Sequence, residues 1–237
     1  MQNVSFLCLR INLIQNLPMN ELLVTQDMKF GPMLEQIKEL FFEFGIKNLN
    51  MDDISRKLGI SKKTLYRFVK SKEDMIAKLF EYEMLKWVED VKRIGNENAN
   101  AIEVLFKVSL LVFEEMKRFN PMLMFELRKY YEPLFNEYHA KKLVHVSESM
   151  KFNLGQGIEE GLYRKDINID AVVAIYMNYL VEIHTSAEIC KTIEVTYDEL
   201  FRVMFENHIR AISTPEGVAF FEMRKNEVLE NLKNNNQ

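Results

Sequence analysis

Apolar residues recur along this chain at steps of three and four, the period of a helix with one buried face. Leu34, Ile37, Leu40, Phe41 and Phe44 predict a helix over Pro32–Phe44, with Pro32 in its first turn and Gly45 at its end. Asn50 is placed to cap a second helix, with Asp53 in the first turn and Ile54 and Leu58 on the core face. Gly59 supplies the left-handed residue that ends it. Ser61 caps a third helix running to Phe68, with Leu65 and Phe68 inward. Ser71-Lys72-Glu73-Asp74 is a capping-box variant that puts acids at the positive end of a fourth helix. That helix is long, with a stripe of Ile76, Phe80, Met84, Trp87, Val88 and Val91, and it runs out near Gly95.

Beyond a polar linker, Asn96–Asn100, the helical pattern covers Ala101–Phe119 and stops at Asn120-Pro121. It returns over Met122–Lys129, from Pro133 to about Gly161, and over Ile169–Ile189, Tyr197–Ile212 and Pro215–Lys233, with Tyr163–Asn168 a polar turn. Strand alternation and fixed-period repeats are both lacking, so the predicted class is all-α. Two late helices are apolar on more than one face. Val172, Val173, Ile175, Tyr176, Met177, Tyr179, Leu180 and Ile183 cover much of one, and Leu200, Phe201, Val203, Met204, Phe205, Ile209 and Ile212 much of the other. Such helices are buried on two sides. The preferred reading is a homodimer through helices of about 169–189 and 197–212, and the alternative is the central helices of a monomeric core.

Composition agrees with a helical reading, for 237 residues contain only 8 Gly and 5 Pro. The net charge of −4 argues against a nucleic-acid partner until it is localised. Asn50–Lys72 holds seven bases and two acids, a balance of +5, so the rest of the chain carries −9. A basic patch on an acidic body draws phosphate to one place. Cys8 and Cys190 suggest neither a disulfide framework nor a metal cluster, and a reducing cytoplasm is the expected setting. No apolar run approaches the roughly 18 residues of a membrane span. Residues 1–28 read as an extension, either upstream of a true start at Met28 or an arm that packs on the body.

The second and third helices, joined by a tight turn, form a helix-turn-helix. In that arrangement the first helix lies across the DNA backbone and the second enters the major groove. Lys62, Lys63, Thr64, Tyr66 and Arg67 supply the donors such a helix needs for base edges and phosphates. Helix N-termini at Asn50 and Ser71 offer free N–H groups to phosphate, and Lys72 adds charge there. Arg56 and Lys57 are read as solvated.

Ile37, Phe41, Gly45, Met51-Asp52-Asp53-Ile54, Leu58-Gly59-Ile60-Ser61, Thr64-Leu65-Tyr66, Phe68 and Ser71-Lys72-Glu73-Asp74 together resemble the tetracycline-repressor-like (TetR) family of bacterial transcription regulators. The resemblance covers about Met33–Phe80. Ser55, Leu49 and Lys63 depart from the residues common there, alanine, threonine and glycine. The resemblance implies a three-helix DNA-binding domain over 29–75, with its helix-turn-helix at about 53–72. A long fourth helix then joins it to a helical effector-binding and dimerisation domain over 76–237. It implies DNA-contacting roles for Asn50, Ser61, Lys62, Lys63, Thr64, Tyr66, Arg67 and Lys72, with Tyr66 and Lys72 on phosphates. It also implies a small-molecule effector, for which Phe125, His139, Tyr176, Tyr179 and His184 are candidate pocket residues.

The expected function is a ligand-responsive DNA-binding regulator acting as a repressor on a near-palindromic operator. A transcriptional activator and a non-ligand-gated, nucleoid- or division-type DNA-binding protein of the same family are the alternatives. Neither a nucleophile–base pair, a cofactor loop nor metal-ligand spacing is present, so no enzyme, cofactor or metal is expected. Gly155-Gln156-Gly157 falls within a helical pattern with no strand before it, which excludes a nucleotide loop.

Overall fold

A computed structural model of the chain describes residues 30–96, 99–118, 120–182 and 192–234. These form ten helices and no strand. They are α1 (Phe30–Phe44), α2 (Met51–Lys57), α3 (Lys62–Leu65), α4 (Lys72–Gly95), α5 (Ala101–Lys117), α6 (Pro121–Tyr130), α7 (Glu132–Glu159), α8 (Ile169–Glu182), α9 (Tyr197–Ile212) and α10 (Pro215–Asn234). The all-α expectation holds. Residues 1–28 and 183–189, including His184, lie outside the described residues. The chain divides into two compact units, Met1–Tyr82 and Glu83–Gln237.

In the first unit α1 contributes Phe30, Leu34, Ile37 and Phe41 to the core. Ile54, Leu65, Val69, Met75, Ile76 and Leu79 are buried beside them. Each such side chain contributes about 1.5–3 kcal/mol on leaving water. Leu40, Phe44, Leu58 and Phe68 are only half-buried. Phe68 nevertheless stacks flat on Phe30, ring centroids 5.1 Å apart and planes 4° from parallel. Gly59, at φ 68°, adopts the left-handed conformation that ends α2 and turns the chain toward α3.

The second unit is organised around α7, which packs against α5, α6 and α8, while α9 and α10 close over α5. Its core joins Ile102 and Leu105 of α5 to Met150 and Leu154 of α7, Val173 and Tyr176 of α8, Phe205 and Ile209 of α9, and Phe221 of α10. Arg224 of α10 grips Glu103 of α5 with two nitrogens, at 2.5 and 2.9 Å. The Arg224 hydrogen bond is the main reason the Glu103 carboxyl titrates below its usual range.

Tyr163 departs from the expected polar turn, for it is fully buried in this core. Its ring lies so close to Gly157 that a Cβ there would stand 2.0 Å from it. Gly157 in α7 is thus a seat for an aromatic ring. Tyr163 donates its hydroxyl to Asn153 (3.2 Å), and Asn153 donates to the Ala101 carbonyl (2.8 Å). Glu160 accepts from the Ala101 N–H at 2.8 Å. These bonds satisfy polar groups that burial would otherwise penalise, and they tie the start of α5 to the end of α7.

Candidate nucleic-acid interface

The interface is assembled by caps. Asn50 accepts from the N–H groups of Asp52 and Asp53, both at 2.9 Å, and Asp53 returns the bond to the Asn50 N–H at 3.2 Å. Ser61 accepts from Thr64 N–H at 3.1 Å, and their hydroxyls meet at 2.8 Å. Ser71 accepts from Asp74 N–H at 3.2 Å, while Asp74 accepts from Lys70 N–H at 2.7 Å. Each cap satisfies donors that a helix start leaves open and fixes where the helix begins.

The third helix is shorter than its predicted span of Ser61–Phe68. Regular α-helix covers Lys62–Leu65, and residues 66–68 form a tighter turn. Arg67 N–H bonds to Thr64 and Phe68 N–H to Leu65, three residues back instead of four. Leu65 and Val69 are nevertheless buried and Phe68 half-buried, the i, i+3, i+4 spacing of a single helical face. Lys63, Tyr66 and Arg67 all remain exposed, with Tyr66 at 44%.

The basic residues separate into two groups. Lys63 and Arg67 have no carboxylate partner among the described residues. Lys62 lies 2.7 Å from Asp52 of α2, and this hydrogen bond raises the Lys62 pKa and keeps it a cation. Arg56 pairs with Asp53 one turn back, and the Lys57 ammonium sits 3.4 Å from the Phe44 ring centroid. Lys72 is turned inward, donating to the carbonyls of Ile46 and Leu49. The sequence named Asp52 only as part of the family motif and did not single out Lys78. Lys78 donates to the Phe68 carbonyl and lies 3.3 Å from Asp74 four residues earlier, a spacing that could have signalled it. Ser55, where alanine is common, is buried without penalty because its hydroxyl donates to the Asp52 carbonyl at 3.0 Å.

Residues 33–79, which hold all of this geometry apart from the first residues of α1, match the family model described as bacterial regulatory proteins, tetR family. The chain is a TetR-like protein. Its relatives include the transcriptional repressor KstR2 of Mycobacterium tuberculosis, 29% identical over 153 residues, which cover 60% of this chain and 72% of that one. A Staphylococcus aureus HTH-type transcriptional regulator is 30% identical over 112 residues, 43% of this chain and 60% of the relative. Among solved structures, a TetR transcription regulator from Haloarcula marismortui superposes with a TM-score of 0.62 at 16% identity, covering 77% of this chain and 96% of that one. The fatty acid degradation regulator FadR of Bacillus halodurans gives 0.57 at 17% identity, covering 75% and 92%. At these identities the solved structures show a shared fold. The relatives support a DNA-binding regulator as the coarse function of this TetR-like protein.

The candidate effector residues of the TetR-like protein are scattered. Tyr176 and Tyr179 line an open groove of about 460 Å³ between α8 and α9, with Val172, Leu200, Met204 and His208. His208 was not among the candidate effector residues. Its ring centroid lies 4.3 Å from that of Tyr176, and burial pushes its imidazole down to about 4. Phe125 and His139 are not part of that groove. Phe125 is 54% exposed on α6 with Lys129 over its ring, and His139 stacks on Phe135 of α7. Burial, then Arg128 and Lys142, lower the His139 pKa. Among the described residues no group of His, Cys, Asp and Glu is arranged to hold a metal, and no helix is long and apolar enough to cross a membrane.

Proposed function

We propose that this TetR-like protein is a ligand-responsive transcriptional repressor that binds a near-palindromic duplex as a homodimer. The carrying observation is the outward face of α3 and its turn. Lys63, Tyr66 and Arg67 are exposed together beyond a fully capped α2, inside the segment that matches the family. Lys62 and Thr64 complete the groove-facing set, with Asn50 and Ser61 as the caps beside it; the N–H groups of Asn50, Asp52, Asp53 and Thr64 are held by those caps. The domain division is 29–75 for DNA and 76–237 for effector binding and dimerisation.

The dimer reading is supported by the outer faces of α8 and α9, where Ile175 is 59% and Val203 45% exposed beside the groove. Large apolar side chains in one exposed patch mark an interaction surface. Tyr179, 57% exposed, lies on that same face and favours contact with a second copy over an enclosed effector site, whereas Tyr176 belongs to the buried core. An apolar effector is the reading that the relatives support, since FadR is described as a regulator of fatty acid degradation and KstR2 as a ketosteroid transcriptional regulator. An effector acts by preferring one of two conformations, and shifts DNA binding only by that difference in affinity.

The test is a gel shift on the DNA upstream of the protein's own reading frame. Alanine at Lys62, Lys63 and Tyr66 together abolishes the shift, and wild-type affinity falls steeply with salt. Unchanged binding by the triple variant would refute the site.

A further inference from the structure

Two carbonyls converge at the turn between α1 and α2, where Leu49 N–H bonds to Ile46 O at 3.4 Å. α2 itself begins at Met51 under the Asn50 cap. The shared donor of the two carbonyls comes from another helix, the ammonium of Lys72 in the first turn of α4. Lys72 is half-buried there, and a lysine ammonium is a compact cation whose N–H groups suit paired carbonyl oxygens. Leu49, whose side chain is buried, is directly followed by Asn50. Holding its carbonyl therefore holds the peptide that leads into the cap of α2. Lys78 makes the matching contact at the far end, donating to the Phe68 carbonyl where the α3 turn ends. The helix pair is thus pinned at entry and exit by two lysines of one helix.

We propose that Lys72 serves DNA binding as a positioning residue, fixing the Leu49–Asn50 peptide and with it the start of α2, and is not a phosphate contact. This rests on the DNA-binding reading above, and it replaces the phosphate role that family resemblance implies for Lys72.

The two roles differ in the salt dependence they produce. A lysine that neutralises one phosphate contributes about 0.9 to the slope of log affinity against log salt, whereas a residue acting through backbone placement contributes nothing to it. The experiment measures affinity of the full chain for fluorescein-labelled duplex DNA of arbitrary sequence across a salt series, for wild type, Lys72→Met, Lys72→Gln and Lys63→Met. Circular dichroism at each condition confirms that the variants are folded. Lys63→Met, which removes an exposed ammonium from each protomer, lowers the slope of the bound dimer by about 1.8 and calibrates the assay. Lys72→Met, folded, weakens binding about tenfold at every salt concentration with the wild-type slope retained. Lys72→Gln, which loses the charge but keeps N–H donors for the carbonyls, recovers most of the affinity at the same slope.

A slope reduced by about 1.8, about 0.9 for each protomer, in either Lys72 variant, or affinity unchanged in a folded Lys72→Met, overturns the proposal. If Lys72→Met does not fold, the slope of Lys72→Gln decides alone. A wild-type protein without salt-dependent binding overturns the DNA-binding reading itself, an outcome seen before any variant is compared.

Discussion

The Lys62 ammonium lies 2.7 Å from the Asp52 carboxylate, joining the two helices of the helix-turn-helix across their turn. Both side chains are more than half exposed, so the pair adds little to stability. Its consequence is for DNA. A carboxylate on this face repels phosphate and competes for a lysine assigned to the groove. Asp52→Asn is therefore expected to tighten binding to duplex DNA about threefold to tenfold at low salt. The gain should shrink as salt rises, which fluorescence anisotropy at several ionic strengths would read.

Gly157 and Gly155 make a paired test of the aromatic seat. A Cβ at Gly157 would lie 2.0 Å from Tyr163, whereas one at Gly155 meets nothing within 4 Å. Gly157→Ala should destabilise the protein by about 2–3 kcal/mol through overpacking. Gly155→Ala should stabilise it by up to about 1 kcal/mol, the usual helix-interior gain. Urea unfolding midpoints measure both, and equal effects would refute the close approach.

His208 predicts a pH dependence. Its folded pKa is about 4, against a usual 6.5. Between those values the unfolded chain takes up a proton that the folded chain refuses, so stability is full above about pH 6.5 and falls as pH drops toward 4. With the ring still partly exposed, about 2 kcal/mol is expected to be lost across that window. Replacement by Phe should flatten this part of the curve of unfolding midpoint against pH.

If α8 and α9 meet a second copy, Ile175→Glu places a charge in the centre of that contact. The expected result is a folded monomer by sedimentation velocity, with weakened operator binding. A wild-type-like dimer would move the interface elsewhere.

Much of the DNA-binding unit was legible beforehand because its signals are local. A cap and its bonded N–H groups lie within three residues, as for Asn50, Ser61 and Ser71. Left-handed Gly59 needs only the chain on either side of it. The early end of α3 was not legible, since Leu65, Phe68 and Val69 keep the spacing of a continued helix while Arg67 and Phe68 bond three residues back. The long helix shows the same effect. Met75, Leu79 and Ile94 are buried, whereas Phe80 and Met84 of the expected stripe are only half-buried, because the neighbours of α4 change along its length.

Local chemistry by itself thus determined that this chain is all-α, that it carries a capped helix-turn-helix, and which side chains the basic segment offers. Tertiary structure alone decided how those side chains are used. Lys62 and Lys63 are adjacent and chemically identical, yet one is paired with Asp52. Lys72 is a cation turned onto carbonyls more than twenty residues earlier in the chain. Tyr163, which sits among polar neighbours in the sequence, is the buried centre of the second unit because Gly157 leaves room for its ring. The reason is physical: helix period and capping are satisfied within a few residues, whereas charge pairing and burial depend on which distant groups folding brings within a few ångströms.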